Sequence, residues 1–157
     1  MNAIDPPIGH ALAEGDTTTK RRLLAAAVAA AAATVLVVAA ILDPSPEGLG
    51  THTQLGAPSC GWIVTMDLPC PTCGMTTAFA NAAEGRWSAA WAAQPLGAVL
   101  AVVTAMTLLL SFYVTVTGAV VGPLLGRLWG RRVAWGLAAV VVLAWVYKIL
   151  SYKGVLR

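Results

Sequence analysis

The stretch Cys60–Asn81 reads CGWIVTMDLPCPTCGMTTAFAN and holds all three cysteines of the chain. Two of them belong to the sequence Cys70-Pro71-Thr72-Cys73-Gly74, in which two residues separate the cysteines. This spacing allows both sulfurs to bind one metal ion or to form one disulfide. Cys60 supplies a third sulfur nearby in the sequence. The stretch therefore predicts a three-cysteine site just before a helix that begins near Met75.

The composition around this stretch is that of a membrane protein. Of the 157 residues, 58% are hydrophobic and 11% are charged, whereas a soluble domain carries about 25% charged residues. The net charge of +3 comes from short Arg/Lys clusters beside apolar runs. A basic stripe with interleaved aromatic residues, typical of nucleic-acid binding, is not found. We expect contact with the lipid bilayer and no nucleic-acid partner.

Three apolar runs are long enough to cross a bilayer, since about 20 residues at ~1.5 Å per residue span ~30 Å. They cover residues 23–42, 95–117 and 133–150. The first run exceeds the ~7–15 apolar residues of a cleaved signal peptide, which favours a membrane anchor. The sequence thus predicts an all-α membrane protein with three transmembrane helices. Residues 23–157 form one membrane domain, and the polar residues 1–22 form a flexible cytoplasmic tail.

Residues 43–94 connect the first two spans and carry the cysteines. Residues 43–68 are predicted to form a loop, because prolines and turn formers follow the first helix. The stretch 75–94 has helical character, but its polar residues make it unfavourable as a free span. We expect two short interfacial helices broken at Gly85, with Trp87 and Trp91 at headgroup depth.

Basic residues predict the orientation of the chain. One cluster precedes the first span at residues 20–22, and a second, Arg127 with Arg131 and Arg132, precedes the third span. Because cytoplasmic loops are enriched in Lys and Arg, the N-terminus is predicted to be cytoplasmic and residues 43–94 external. A fourth span within 75–94 would place the second cluster outside. Lys148, Lys153 and Arg157 oppose this orientation, and we interpret Lys148 as an interfacial anchor.

Three interpretations of the cysteines remain open. Cys60, Cys70 and Cys73, with His52 as a fourth ligand, could bind zinc or another thiophilic metal. Alternatively, Cys70 at a helix N-terminus could have a lowered pKa and act in thiol–disulfide exchange with an electron partner such as a quinone or a periplasmic thiol protein. A loop disulfide with one buried thiol is the third interpretation. Haem attachment is excluded, since Gly74 stands where histidine is needed.

These residues resemble the uncharacterised bacterial membrane proteins grouped as domain of unknown function family 2752. The resemblance covers about residues 43–96, including Cys60, the Pro69–Thr76 core and the Glu84-Gly85-Arg86 break. Many members carry arginine where this chain has Thr77, which weakens any argument for a stabilised thiolate. The resemblance implies a multi-span protein of the bacterial cytoplasmic (inner) membrane with a cysteine-rich extramembrane segment. It implies no activity.

The sequence therefore predicts an integral membrane protein whose extracytoplasmic three-cysteine site is structural or metal-binding. A membrane thiol–disulfide oxidoreductase and a small assembly subunit that docks on other membrane proteins are the alternatives. Enzymatic activity is left open by the sequence.

Overall fold

The computed structural model describes residues 7–121 and 130–154, with side chains described from Thr17 onward. All regular elements in these ranges are helices. They are α1 (Pro7–Ile41), a 3-10 helix (Thr51–Leu55), α2 (Gly61–Met66), α3 (Met75–Ala83), α4 (Trp87–Ala93), α5 (Pro95–Thr117) and α6 (Arg131–Tyr152). Parts of α1, α5 and α6 are long and apolar enough to cross a membrane. The prediction of an all-α protein with three candidate spans is confirmed.

The first helix begins earlier than the apolar run does. It starts at Pro7, and its part suited to a membrane is Thr17–Ile41. The sequence instead predicts a flexible tail over residues 1–22, of which residues 1–6 lie outside the described part. The helix extends through 7–22 because proline is compatible with a first turn. Isolated glycines within it cost only ~1 kcal/mol each relative to alanine.

The connection between α1 and α5 contains more helix than expected. The predicted break between α3 and α4 is confirmed, and Gly85 there has a positive φ of 76°. The region predicted as a loop contains the 3-10 helix and α2, which have five and six residues. Each of these elements spans less than two turns, which is too short for the spacing of its apolar residues to indicate a helix.

Small side chains allow the helices of the connection to pack closely on α5. Ala82 of α3, Ala90 of α4, and Ala98 and Ala101 of α5 form a buried cluster, with Phe79 packed against it. Small residues let helix backbones approach each other without a large hydrophobic driving force, which suits packing in a membrane. α1 packs along α5 as well, and α6 contacts α5 over a smaller area.

The three long helices alternate in direction. At one end of the bundle, a Cβ on Gly118 after α5 would lie 3.0 Å from Nε of Arg22, which is near the start of the membrane-suited part of α1. We call this the basic end, and Arg131 at the start of α6 belongs to it. At the other end, which we call the cysteine end, α1 finishes, α5 starts and α6 finishes beside the cysteine-bearing segment. Arg127 and Arg157, both used in the orientation argument, lie outside the described residues.

Large apolar side chains cover the outer faces of the long helices. Leu23 is 65% exposed, Met106 63% and Leu143 68%. Exposure on this scale along three helices is unfavourable in water and favourable in hydrocarbon. These faces provide the surface for lipid contact.

We predict that Gly97→Ala destabilises the fold, whereas Gly136→Ala does not. A Cβ at Gly97 would lie 2.8 Å from Ala78 Cβ and 3.3 Å from Met75 Cα, while a Cβ at Gly136 would meet nothing within 4 Å. Overpacking typically costs about 1–3 kcal/mol, and an unobstructed Gly→Ala change in a helix gains up to ~1 kcal/mol. Thermal unfolding of both variants in detergent measures the difference. Equal midpoints would contradict the close contact between α3 and α5.

Candidate three-cysteine site

The three cysteines converge at the cysteine end of the bundle. Cys60 precedes α2, while Cys70 and Cys73 lie in the turn before α3. Their sulfurs all lie within 4.8 Å of one another. All three are free thiols, with Cys73 buried and the other two partly exposed. The predicted three-cysteine cluster is therefore present.

The Cys70–Cys73 turn is held by hydrogen bonds that bring its two sulfurs together. The Cys73 amide donates to the Cys70 carbonyl at 3.0 Å, and the Cys70 amide donates to the Cys73 Sγ at 3.3 Å. The two Sγ atoms are 3.1 Å apart and share a hydrogen bond. Gly74 follows with a positive φ of 86°, a conformation that glycine adopts without steric cost. This glycine turns the chain directly into α3.

The thiols differ in their tendency to ionise. Burial raises the pKa of Cys73 to about 12, and the hydrogen bonds it shares with Cys70 and Cys60 add to this effect. For Cys60, desolvation opposes ionisation, but hydrogen bonds from the Ile63 amide and the Cys73 thiol lower its pKa to about 6. The lowered pKa therefore lies at Cys60, outside the Cys-x-x-Cys turn, and the raised pKa lies at Cys73.

His52 lies beside the cluster, in the 3-10 helix. It lines a cavity of about 320 Å³ together with all three cysteines. Its Nε2 lies 3.1 Å from the Pro58 carbonyl oxygen, to which the protonated Nε2–H can donate. In that tautomer Nδ1 carries the lone pair, which is the arrangement of metal-bound histidines whose other nitrogen donates to a carbonyl. His52 is not part of the group whose ligand atoms lie within 4.8 Å of one another.

Polar side chains behind the turn support it and are not evident from the sequence. Gln94 is fully buried, and its Nε2 donates to the Pro71 carbonyl at 3.0 Å. Its Oε1 has no hydrogen-bond partner within the described part of the chain. The hydroxyls of Thr51 and Thr77, both buried, lie 2.8 Å apart. These contacts connect the start of α5 and the 3-10 helix to the cysteine segment.

Lys148 of α6 is buried rather than interfacial, so its interpretation as a snorkelling anchor is wrong. It is 4% exposed. Its Nζ donates to the Ala93 carbonyl at 2.7 Å and to the Gly48 carbonyl at 3.2 Å. A lone lysine in an apolar span is the sequence signal that could have identified it, because such residues usually face protein or a polar cavity.

The end of α6 makes further polar contacts with the cysteine segment. Trp145 donates its Nε1–H to the Pro69 carbonyl at 3.0 Å and packs edge-on against Trp62, with ring centroids 6.0 Å apart. Tyr152 and Lys153 both donate to the Asp67 carboxylate, at 2.9 Å and 2.8 Å. The hydrogen bond from Lys153, followed by that from Tyr152, lowers the pKa of Asp67. The end of α6 and Lys153 therefore contact the segment 62–69, which directly precedes Cys70.

Residues 60–108 match the model of a family described as "Protein of unknown function (DUF2752)". The match includes the three cysteines, α2 to α4 and the first part of α5. It supports the resemblance expected from the cysteine core, and it extends further into α5 than the expected limit at residue 96. Comparison with curated proteins and with solved structures found no match.

We predict that Gly74→Ala disrupts the site more than Gly85→Ala does. Both glycines have positive φ, 86° and 76°, so both changes incur about 1–2 kcal/mol of left-handed strain. Only at Gly74 would the added Cβ lie 2.7 Å from the Gly48 carbonyl and 2.8 Å from the Ala93 carbonyl, while Gly85 has open space. Gly74→Ala should therefore unfold at lower temperature and expose Cys73 to alkylation. A larger effect from Gly85→Ala would contradict this assignment.

Proposed function

We propose that the chain is an integral membrane protein whose extracytoplasmic segment holds one thiophilic metal ion, most simply zinc. Cys60, Cys70 and Cys73 are its ligands, and His52 completes the shell. The observation that carries the proposal is the approach of three free sulfurs, from two separate turns, to within 4.8 Å of one another. Cys60 at the start of α2 thus lies close to the Cys70–Cys73 turn although no disulfide joins them.

The spacing of the sulfurs suits a shared ion. With Zn–S distances of about 2.3 Å, tetrahedral geometry places thiolate sulfurs ~3.8 Å apart. The described separations run from 3.1 Å for the Cys70–Cys73 pair to at most 4.8 Å for the whole group. Small rotations of the side chains therefore suffice to bind the ion. Metal binding would also ionise Cys73, because thiols coordinate as thiolates.

The proposed role of the ion is structural. It would connect the start of α2 to the turn before α3, which otherwise meet through thiol hydrogen bonds. A closed shell of three cysteines and one histidine leaves no open position for a substrate and is typical of structural zinc sites. Stabilising this segment would also hold Trp62 and Asp67 in place for their contacts with the end of α6.

Thiol–disulfide exchange is the second candidate function. The 3.1 Å separation of the Cys70 and Cys73 sulfurs favours it, because little movement is needed to join them. Forming that disulfide would transfer two electrons and two protons to an acceptor such as a partner disulfide or a quinone. Cys60 could then exchange with the pair.

We also propose that the cysteine end faces the external side of a bacterial inner membrane and that the N-terminus is cytoplasmic. Residues 20–22, together with Arg131 and Arg132, lie at the opposite end, which supports this orientation. Lys148 and Lys153 lie at the cysteine end, but each has local partners: two carbonyls for Lys148 and Asp67 for Lys153. These lysines therefore contribute less to the orientation than unpaired charges would.

We predict that the purified protein contains close to one zinc, copper or iron ion per chain. Changing any one cysteine to serine should remove most of the metal, since loss of one sulfur opens the shell. His52→Ala should reduce the metal content if the imidazole is the fourth ligand. Thr76→Val is the matched control, because Thr76 lines the same cavity without offering a strong ligand. Elemental analysis and thiol counting on one preparation measure these effects.

The outcomes separate the candidate functions. Metal-free protein with a Cys70–Cys73 disulfide that dithiothreitol opens would favour thiol–disulfide exchange. Metal-free protein with three equally accessible, unpaired thiols would contradict both functions.

We predict that a cysteine introduced at Leu55, which is 57% exposed, reacts with an impermeant maleimide in intact cells. The background carries Cys60→Ser, Cys70→Ser and Cys73→Ser. A cysteine at Arg132, at the basic end, is the matched control and should react only after permeabilisation. The triple serine background removes the proposed site and could alter the fold, so a second measurement uses the chain with its native cysteines. An alkaline phosphatase fused after Arg157 should be active, because the proposed orientation places that end outside. The reverse pattern in both measurements would contradict the orientation.

A further inference from the structure

A second cavity lies at the cysteine end of the bundle. Its volume is about 550 Å³, and it lies between the loop that follows α1, helices α3 and α4, and the end of α6. This volume falls within the ~300–1,000 Å³ of small-ligand sites. The residues with polar side chains in its lining are Ser45, Glu47, Asn81, Arg86, Lys148, Ser151 and Tyr152. None of the three cysteines lines this cavity.

Lys148 gives this cavity a buried positive charge that belongs to no ion pair among the described residues. Its two hydrogen-bond acceptors are the neutral carbonyls of Gly48 and Ala93, which also line the cavity. The ion pairs found among the described residues join Arg86 to Glu84 and Lys153 to Asp67, so neither includes Lys148. An ammonium group has three N–H donors, and these two carbonyls occupy two of them. A buried charge without a counter-ion is costly, and an anion in the cavity would offset that cost.

Arg86 adds a second cation to the lining of the cavity. Its side chain is 53% exposed, and its guanidinium lies 2.6 Å from the Glu84 carboxylate. This pairing leaves other N–H groups of its five-donor fork available. Glu47 is a carboxylate in the lining, and Glu84 pairs with Arg86. Among the described residues, Lys148 is therefore the cation of the lining that belongs to no ion pair.

The position of the cavity points to a lipid. It lies where α6 ends, next to α4, whose Trp87 and Trp91 are 52% and 54% exposed. Tryptophans are enriched at headgroup depth, and Lys and Arg side chains form charge-assisted hydrogen bonds with phosphate groups such as those of lipid headgroups. A lipid headgroup at the membrane interface would therefore be able to enter this cavity.

We propose that this cavity binds the phosphate group of an anionic phospholipid, with the Lys148 ammonium donating to it from inside and Arg86 from the rim. The ligand chemistry is that of a phosphate ester, and the source is the lipid leaflet at the cysteine end. The proposal does not rest on metal binding, since neither the three cysteines nor His52 lines this cavity.

The test measures thermal unfolding of the full-length protein in neutral detergent during three titrations. The probes are phosphatidylglycerol, phosphatidylcholine with the same acyl chains, and water-soluble glycerol 3-phosphate. Phosphatidylglycerol should raise the midpoint in a saturable manner, and phosphatidylcholine should not. Arg86→Gln should weaken the apparent affinity about tenfold, as expected for the loss of one charge-assisted hydrogen bond. Lys153→Gln is the matched control, because Lys153 is an exposed cation at the same end outside the cavity, and it should leave the affinity unchanged.

Lys148→Met should abolish the saturable effect, but this change also lowers stability because it leaves the Gly48 and Ala93 carbonyls without their donor. Ala89→Leu therefore serves as a second variant, since it fills the cavity without altering any charge. It should abolish the phosphatidylglycerol effect as well. A midpoint raised equally by glycerol 3-phosphate would support the anion site and assign it to a soluble phosphate ester. The proposal would be overturned by equal effects of both lipids, by no effect of any probe, or by equal losses in Arg86→Gln and Lys153→Gln.

Discussion

The buried ammonium of Lys148 joins three parts of the chain that are far apart in sequence. It binds the carbonyls of Gly48, after α1, and Ala93, before α5, from a position near the end of α6. The turn at Gly74 lies against the same two carbonyls, so its backbone has no room for a side chain. The position of Cys73 therefore depends on a contact made by the third long helix. Hydrogen bonds from a charged donor are worth about 1.5–3 kcal/mol each, which makes this contact one of the stronger ones at this end of the bundle.

Much of the architecture can be predicted because it depends on local sequence. Uninterrupted apolar runs define the long helices, Pro95 marks the start of α5, and Gly85 separates α3 from α4. The convergence of the cysteines also follows from spacing, since the Cys-x-x-Cys turn and Cys60 lie close in sequence. By contrast, the roles of Lys148 and Gln94 depend on contacts across many residues of chain. Single-sequence patterns do not identify the partners in such contacts, and a lysine near a helix end is more often an interfacial anchor.

The site also shows how a small, alanine-rich membrane protein can organise polar groups. The buried cluster between α3, α4 and α5 consists of four alanines, with Phe79 packed against it. This close packing brings backbone carbonyls and amides near one another, and buried side chains satisfy some of them: Gln94 donates to the Pro71 carbonyl, and Thr51 accepts from the Ser45 amide. The cysteine turn therefore packs on hydrogen-bonded polar groups such as Gln94 rather than on an apolar core. Its geometry therefore depends on hydrogen bonds, which are directional, more than on apolar burial.

The attachment of α6 has a consequence for the order in which the protein assembles. Trp145 meets Pro69 across 76 residues of chain, and Lys148 meets Gly48 across 100. During synthesis the cysteine segment emerges from the ribosome before α6 does. Its thiols are therefore exposed at first without the contacts that Trp145 and Lys148 later make. Any reaction of the thiols with an oxidant or a metal in that interval precedes the closing of the site. The third long helix thus completes a site whose reactive groups were synthesised earlier.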